Sequence, residues 1–239
     1  MSAPALWRDL RRFTDARVGL GRVGTAQPTA AHLDFQEAHA RARDAVWSLL
    51  DIPALEVAIA RPVLRVCSAA ADRREYLLRP DLGRRLAQDC VLPAAPGCIA
   101  LVVADGLCAT GVQRHAPGVL ELLVPALPLP AGPLVVAQQA RVAIGDEIGE
   151  AMGAAAVVVL IGERPGLSAT DSLGLYITWA PRRGRTDAER NCISNVRPGG
   201  MSYADAAAKA AWLLRAAAAL GATGVALKDE MPATALPAP

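Results

Sequence analysis

The stretch "AAVVVLIGERPG", residues 155–166, decides the fold. Val157 to Ile161 is an unbroken apolar run, mostly β-branched, closed by a glycine and a Pro-Gly turn. A strand with no polar residue on either side of its pleat is buried on both faces, and parallel sheets covered by helices bury strands in that way. Glu163 and Arg164 stand at the mouth of this strand, where a plain turn would need neither charge.

Three neighbouring runs repeat the pattern. "CIALVVADG" (98–106) reads as a buried strand ending in Asp-Gly and followed by a helical segment to about Leu127. "PLVVAQQARVAI" (133–144) reads as a second strand, with the helix "GDEIGEAMGA" after it. "LGLYITWAP" (173–181) reads as a fourth, and a long alanine-rich helix over about 202–220 closes the region. Apolar runs alternating with helices predict an α/β fold, a mainly parallel, Rossmann-like sheet flanked by helices. Ligands of such sheets lie beyond the carboxyl ends of the strands. Asp105-Gly106, Gly162–Gly166 and the 182–200 loop are all expected on that edge.

Upstream, residues 3–20 and 30–50 read as helices around "GRVGTAQPT". Leu33, Ala40, Val46, Trp47 and Leu50 recur at roughly helical spacing in the second. "VAIARPVLRVC" (57–67) reads as a strand that Pro62 either confines to an edge or splits. Pro80 and Asp81 open a short helix. "VLPAAPG" (91–97) marks a boundary, so three regions are expected: a mostly helical 1–95, a sheet domain 96–225 and a Pro-rich tail 226–239, of which "MPATALPAP" (231–239) is expected to be disordered.

Charge bounds the partners. With 25 basic and 23 acidic residues the net charge is +2, so no domain-wide excess exists to neutralise a nucleic acid. Arg84-Arg85 and Arg182, Arg183 and Arg185 are local clusters, read chiefly as solvated faces. Cys67, Cys90, Cys98, Cys108 and Cys192 form no CxxC and no Cys/His ligand spacing, and an odd count of reduced thiols fits a cytosol. The N-terminal residues lack the apolar core of a secretory signal. The longest apolar run, Ala151–Gly162, has 12 residues against the ~20 needed to span a bilayer. No membrane span, no nucleic-acid partner and no metal ligand are expected.

Nucleotide-binding fingerprints are missing: no strand runs into GxGxxG, and there is no GxxxxGK[ST]. His32 and His39 sit on a polar helix face, while His115 begins a helix as a cap or partner contact. Cys108 or Cys192 as a nucleophile would need a base nearby, and Cys192 has no histidine close in sequence, so a packed thiol is the favoured reading of both. "GERPG" alone reads as a salt-bridged turn. "RTDAERNCISNVRPGG" (185–200) is a polar loop after an apolar strand, a make of loop that commonly contacts ligands. Two functions stay open on these residues alone: a standalone hydrolase using Cys192 or Asp105, and a structural adaptor.

Taken together, "YLLRPDLGRRL" (76–86), "VVADGL" (102–107), "RVAIGDEIGEAMGA" (141–154), "LIGERPGLSATDSLGLY" (160–176) and "RNCISNVRPGG" (190–200) resemble the small (light) subunit family of ethanolamine ammonia-lyase. "LRRFTDARVGLGR" (10–22) is similar more weakly. The resemblance implies an adenosylcobalamin-dependent carbon–nitrogen lyase assembled from several large/small pairs. The large subunit's barrel would carry the substrate site and the radical chemistry that turns ethanolamine into acetaldehyde and ammonia. The small subunit would close the cobalamin from the other side and supply no catalytic residue of its own. It implies cofactor contacts at Val142, Glu163 and Cys192. Glu163 would accept from a corrin amide, Val142 would offer apolar surface, and Cys192 would permit close approach of a flat ring. Arg164 would balance the Glu163 charge or meet the partner chain. No DxHxxG is present, so the cofactor would keep its own dimethylbenzimidazole on cobalt, with no protein ligand to the metal from this chain. Two departures are visible: Cys108 follows "DGL" where the family pattern leads one to expect serine, and the loop from Pro181 to Arg190 is slightly shorter. Some relatives carry an N-terminal extension that directs them to a bacterial microcompartment; the start of this chain instead favours free cytosol.

Overall fold

A computed structural model describes residues 5–232. The Pro-rich stretch expected to be disordered falls largely outside them. The elements are helices α1 (Ala5–Leu10), α2 (Thr29–Trp47) and α3 (Ile52–Ile59), strand β1 (Val63–Cys67), α4 (Arg73–Leu78), β2 (Ile99–Ala104), α5 (Ala109–Leu123), β3 (Ala131–Gln138), α6 (Ile144–Met152), β4 (Ala156–Gly162), β5 (Leu173–Trp179), β6 (Asn191–Val196) and α7 (Tyr203–Leu220). The six strands form one sheet in the order β1-β3-β2-β4-β5-β6. β1, β3, β2 and β4 are parallel, and β5 and β6 are antiparallel to their neighbours. The mainly parallel α/β expectation holds, preceded by helices.

Where the structure departs from the sequence reading, the causes are local. The run at 57–67 is not one strand: Asp51 accepts the Ala54 N–H at 3.0 Å and Pro53 sits in the first turn, so α3 continues through Ile59. Ala60 then ends it in the left-handed conformation, and β1 starts after Pro62 as an edge strand. The helix expected over 3–20 spans only Ala5–Leu10 among the described residues. At 80–84 there is a single turn of 3₁₀ helix, Leu82–Arg84. β5 is antiparallel because only the ten residues 163–172 separate it from β4, too few for a helical crossover. The polar loop 185–200 contains a strand, β6, whose alternation is broken by a bulge opposite Gly174.

Two apolar layers hold the sheet. On one face Leu101, Val103, Val158, Leu160, Leu175 and Ile177 pack against α3, α5 and α7. On the other, Val102, Val135, Val157, Val159 and Ile161 meet Ile144, Ile148 and Met152 of α6. This second cover stops short of β6, where Cys192 and Ser194 are exposed. The β2→α5→β3 connection runs over the first face, while β3→α6→β4 returns in the opposite direction across the sheet. Right-handed crossovers running in opposite directions must use opposite faces. The loops leaving β2 and β3 therefore diverge and open a crevice at their carboxyl ends. Among the described residues no helix is long and apolar enough to cross a membrane.

Candidate functional site

The crevice is a cleft of ≈ 420 Å³ whose lining includes Tyr76, Gly106, Arg141, Val142, Glu163 and Tyr176. It is assembled by a buried polar knot beneath it. Asp105, at the end of β2, accepts the backbone N–H groups of Gln139 and Ala140 at 2.9 Å each and faces Arg73 Nη1 at 3.3 Å. Arg73 also donates to the carbonyls of Val46 (2.8 and 2.7 Å) and Gly106 (2.9 Å). Both side chains are buried. Burial pushes the Asp105 carboxyl above its ordinary range, opposed by the Ala140 N–H and the Arg73 charge. The knot thus ties the exits of β2 and β3 to α2 and α4. Asp105 has its oxygens occupied, and the hydrolase role for it is removed.

Glu163 leaves the carboxyl end of β4 and lies across β5. A Cβ at Gly174 would stand 3.1 Å from Glu163 Oε1, so the missing side chain makes the room. Asn195 holds the other oxygen, donating its backbone N–H to Oε2 at 3.1 Å. Asn195 is in the left-handed region (φ 58), inside the β6 bulge, and its carbonyl accepts from Met201 N at 2.9 Å. The Arg-Pro-Gly-Gly turn follows because a Cβ at Gly200 would stand 2.2 Å from that same carbonyl oxygen. Glu163 is therefore aimed by β6, not by Arg164; Arg164 is exposed and makes no ion pair among the described residues. The salt-bridged-turn reading of "GERPG" is overturned.

Val142 lines the cleft at the start of α6. Cys192 does not line it but lies beside it, opposite Tyr176 across the β5–β6 pair. Although the residue is exposed, partial desolvation of its thiol beside the sheet, opposed by the Tyr176 hydroxyl and aided by the Glu163 charge, pushes the thiol pKa up, away from nucleophile range. Of the three expected contacts, Val142 and Glu163 share one cleft, and Cys192 extends it along the open sheet face. The expectation for 182–200 needs correction: because β5 and β6 run antiparallel, 182–190 lies at the far edge, and only 195–200 returns to the carboxyl edge. Within 182–190, Arg183 pairs with Glu147 at 3.2 Å, and Arg190 is buried against Asp146 at 2.6 Å. Arg84 and Arg85 are exposed.

No histidine serves this cleft. His32 and His39 are exposed on α2. His115 is buried within α5 on the opposite face, 2.6 Å from the Tyr203 hydroxyl, so it is neither a helix-starting cap nor an exposed partner contact. Cys108, in place of the expected serine, still does a hydroxyl's work: it caps α5 from Gly111 N (3.3 Å) and donates to the Thr170 carbonyl at 3.0 Å. What the sequence reading missed was Tyr76, Arg73 and Arg141, distant in sequence and joined only by the fold. Arg141 lies 4.4 Å and Arg73 4.8 Å from the Tyr76 ring centroid. Among the described residues, no group of three or more His, Cys, Asp or Glu side chains is arranged to hold a metal ion.

Residues 4–228 match the family model described as the ethanolamine ammonia-lyase light chain. The chain belongs to the ethanolamine ammonia-lyase light-chain family. Proteins named ethanolamine ammonia-lyase small subunit are similar along nearly their whole length. That of Bradyrhizobium diazoefficiens is 52% identical, covering 96% of this chain and 94% of the relative. That of Azotobacter vinelandii is 53% identical (94% and 88%), and that of Xanthomonas campestris 51% (94% and 88%). The light-chain match spans β1 to β6 and includes every residue of the cleft.

The cleft depends on two close backbone approaches in this light chain. A Cβ at Gly162 would stand 2.2 Å from the Cys108 carbonyl oxygen and 2.6 Å from that of Asp105. Gly162→Ala is expected to cost roughly 3 kcal/mol, since both obstacles are backbone atoms that cannot swing aside. Thermal unfolding measures it; an unchanged midpoint would show that the β2–α5 turn can give way at little cost.

Proposed function

We propose that this chain is the cofactor-closing subunit of an adenosylcobalamin-dependent ethanolamine ammonia-lyase. The assembled enzyme converts ethanolamine to acetaldehyde and ammonia, and this chain contributes no catalytic side chain. The observation that carries the reading is the half-open cleft: an aimed carboxylate, an apolar wall and an uncovered sheet face meet on one edge, with no nucleophile–base pair among the described residues. A cobalamin has a flat corrin rimmed with amide donors and a nucleotide tail that carries an anionic phosphodiester. Glu163 suits an amide, Val142 and the Tyr176–Cys192 face suit the ring, and the buried, unbonded Arg141 Nε suits an anion. When bound, the cofactor supplies cobalt–carbon homolysis and hence hydrogen-atom transfer. The residues of this chain bind and orient it and exclude water from its exposed side.

A large-subunit partner follows from the small-subunit name of the relatives, and the N-terminal helices support it. α2 buries only Ala38, Ala42 and Ala45, while Leu33, Phe35 and Trp47 are exposed. The assembly proposed is a hetero-oligomer of several large/small pairs in the cytosol. Copurification with the large subunit tests the function. Cobalamin absorbance is expected to co-elute with protein only when both chains are present. Ethanolamine turnover by this chain alone, or a fully active complex free of cobalamin, would overturn it.

A further inference from the structure

Arg141 is the least explained charge in the molecule. Its guanidinium makes no hydrogen bond or ion pair among the described residues, and its Nε is buried without a partner. The side chain leans on the Tyr76 ring, 4.4 Å from the centroid. Burial pulls its pKa down, with Arg73, Arg164 and Arg84 adding to the effect, so several positive charges converge here. Asp105, the nearest buried carboxylate, is already taken by Arg73 and two backbone amides. Glu163 leans over β5, three strand positions from β3, or about 14 Å away across the sheet. Next to Arg141, α6 begins at Ile144 with no side-chain cap, so its positive end adds to the same corner. Its two first-turn acids are engaged elsewhere, Asp146 with Arg190 and Glu147 with Leu86 N and Arg183.

We infer that Arg141, seconded by Arg164, forms a phosphate subsite at the β3 end of the cleft, and that it takes the phosphodiester of the cobalamin nucleotide tail. This rests on the cobalamin reading above and gives the cleft a polarity: carboxylate toward the corrin amides at β5, guanidinium toward the anionic tail at β3. A phosphodiester supplies the acceptor that the buried Nε lacks, and the planar fork of arginine matches two of its oxygens.

The test uses the complex of this chain with its large subunit and measures Kd spectroscopically for two probes. Adenosylcobalamin carries the phosphodiester; adenosylcobinamide has the same corrin and adenosyl group but no phosphate, ribose or base. Arg141→Met is expected to weaken adenosylcobalamin about tenfold or more and to leave adenosylcobinamide within about twofold. Arg164→Met, at an exposed position, is expected to show the same selectivity at a smaller size. Inorganic phosphate is expected to compete with adenosylcobalamin and not with adenosylcobinamide. Equal losses for both probes, or none for either, would overturn the phosphate assignment and leave the cobalamin reading standing. Failure of the wild-type complex to bind either probe would overturn that reading, and the subsite with it.

Discussion

Asp105→Ala is expected to lower stability by about 3–5 kcal/mol, because it strips a buried arginine of its counter-charge. Arg73 would keep its carbonyl acceptors at Val46 and Gly106 but lose the carboxylate, and the N–H groups of Gln139 and Ala140 would be left without an acceptor. The damage should be directional. The 139–142 segment carries Arg141 and Val142, so cobalamin retention by the complex should fall even under conditions where the variant stays folded. Chemical denaturation of this chain gives the first number, and a loss below about 1 kcal/mol would show that the knot does not hold the edge together. Arg73→Met paired with Asp105→Leu removes both charges and should recover part of the loss, since apolar replacement of a buried pair is often neutral.

The second large effect concerns the cofactor. Glu163→Ala is expected to weaken cobalamin retention by ~1–3 kcal/mol, as it removes a charged acceptor and orphans a donor on the ligand. Glu163→Gln separates two causes. The amide still accepts from Asn195 N and keeps the β6 bulge in place, yet it loses the charge that strengthens a bond to a corrin amide. Intermediate retention in Gln, with unchanged stability, would assign the effect to the ligand. Full retention in both variants would remove Glu163 from the site.

The central strands and their carboxyl edge were legible because a short, unbroken, β-branched apolar run fits little besides a strand buried on both faces. Val157–Ile161, Ile99–Ala104 and the 203–220 helix stand where periodicity placed them. Elements whose pattern is set by one capping or bulging residue were not legible. Asp51 turned an apolar, β-branched run into α3. The bulge at Asn195 spaced the inward-facing Ile193 and Val196 three residues apart, so β6 had no period-two signature. Strand direction was likewise invisible until the short 163–172 connection was counted, and that misplaced 182–190. In the site, Glu163 was conspicuous as a charge at the end of a buried strand. Tyr76, Arg73 and Arg141 were not, because their meaning is a stack between segments some 65 residues apart.

A structure of the two-chain assembly with adenosylcobalamin bound tests the central claim most directly. Corrin density is expected against the carboxyl edge of this sheet, with a ring amide within hydrogen-bond distance of Glu163 and with Val142 and Cys192 in contact. Cobalamin held elsewhere, with that edge facing bulk water, would contradict the claim.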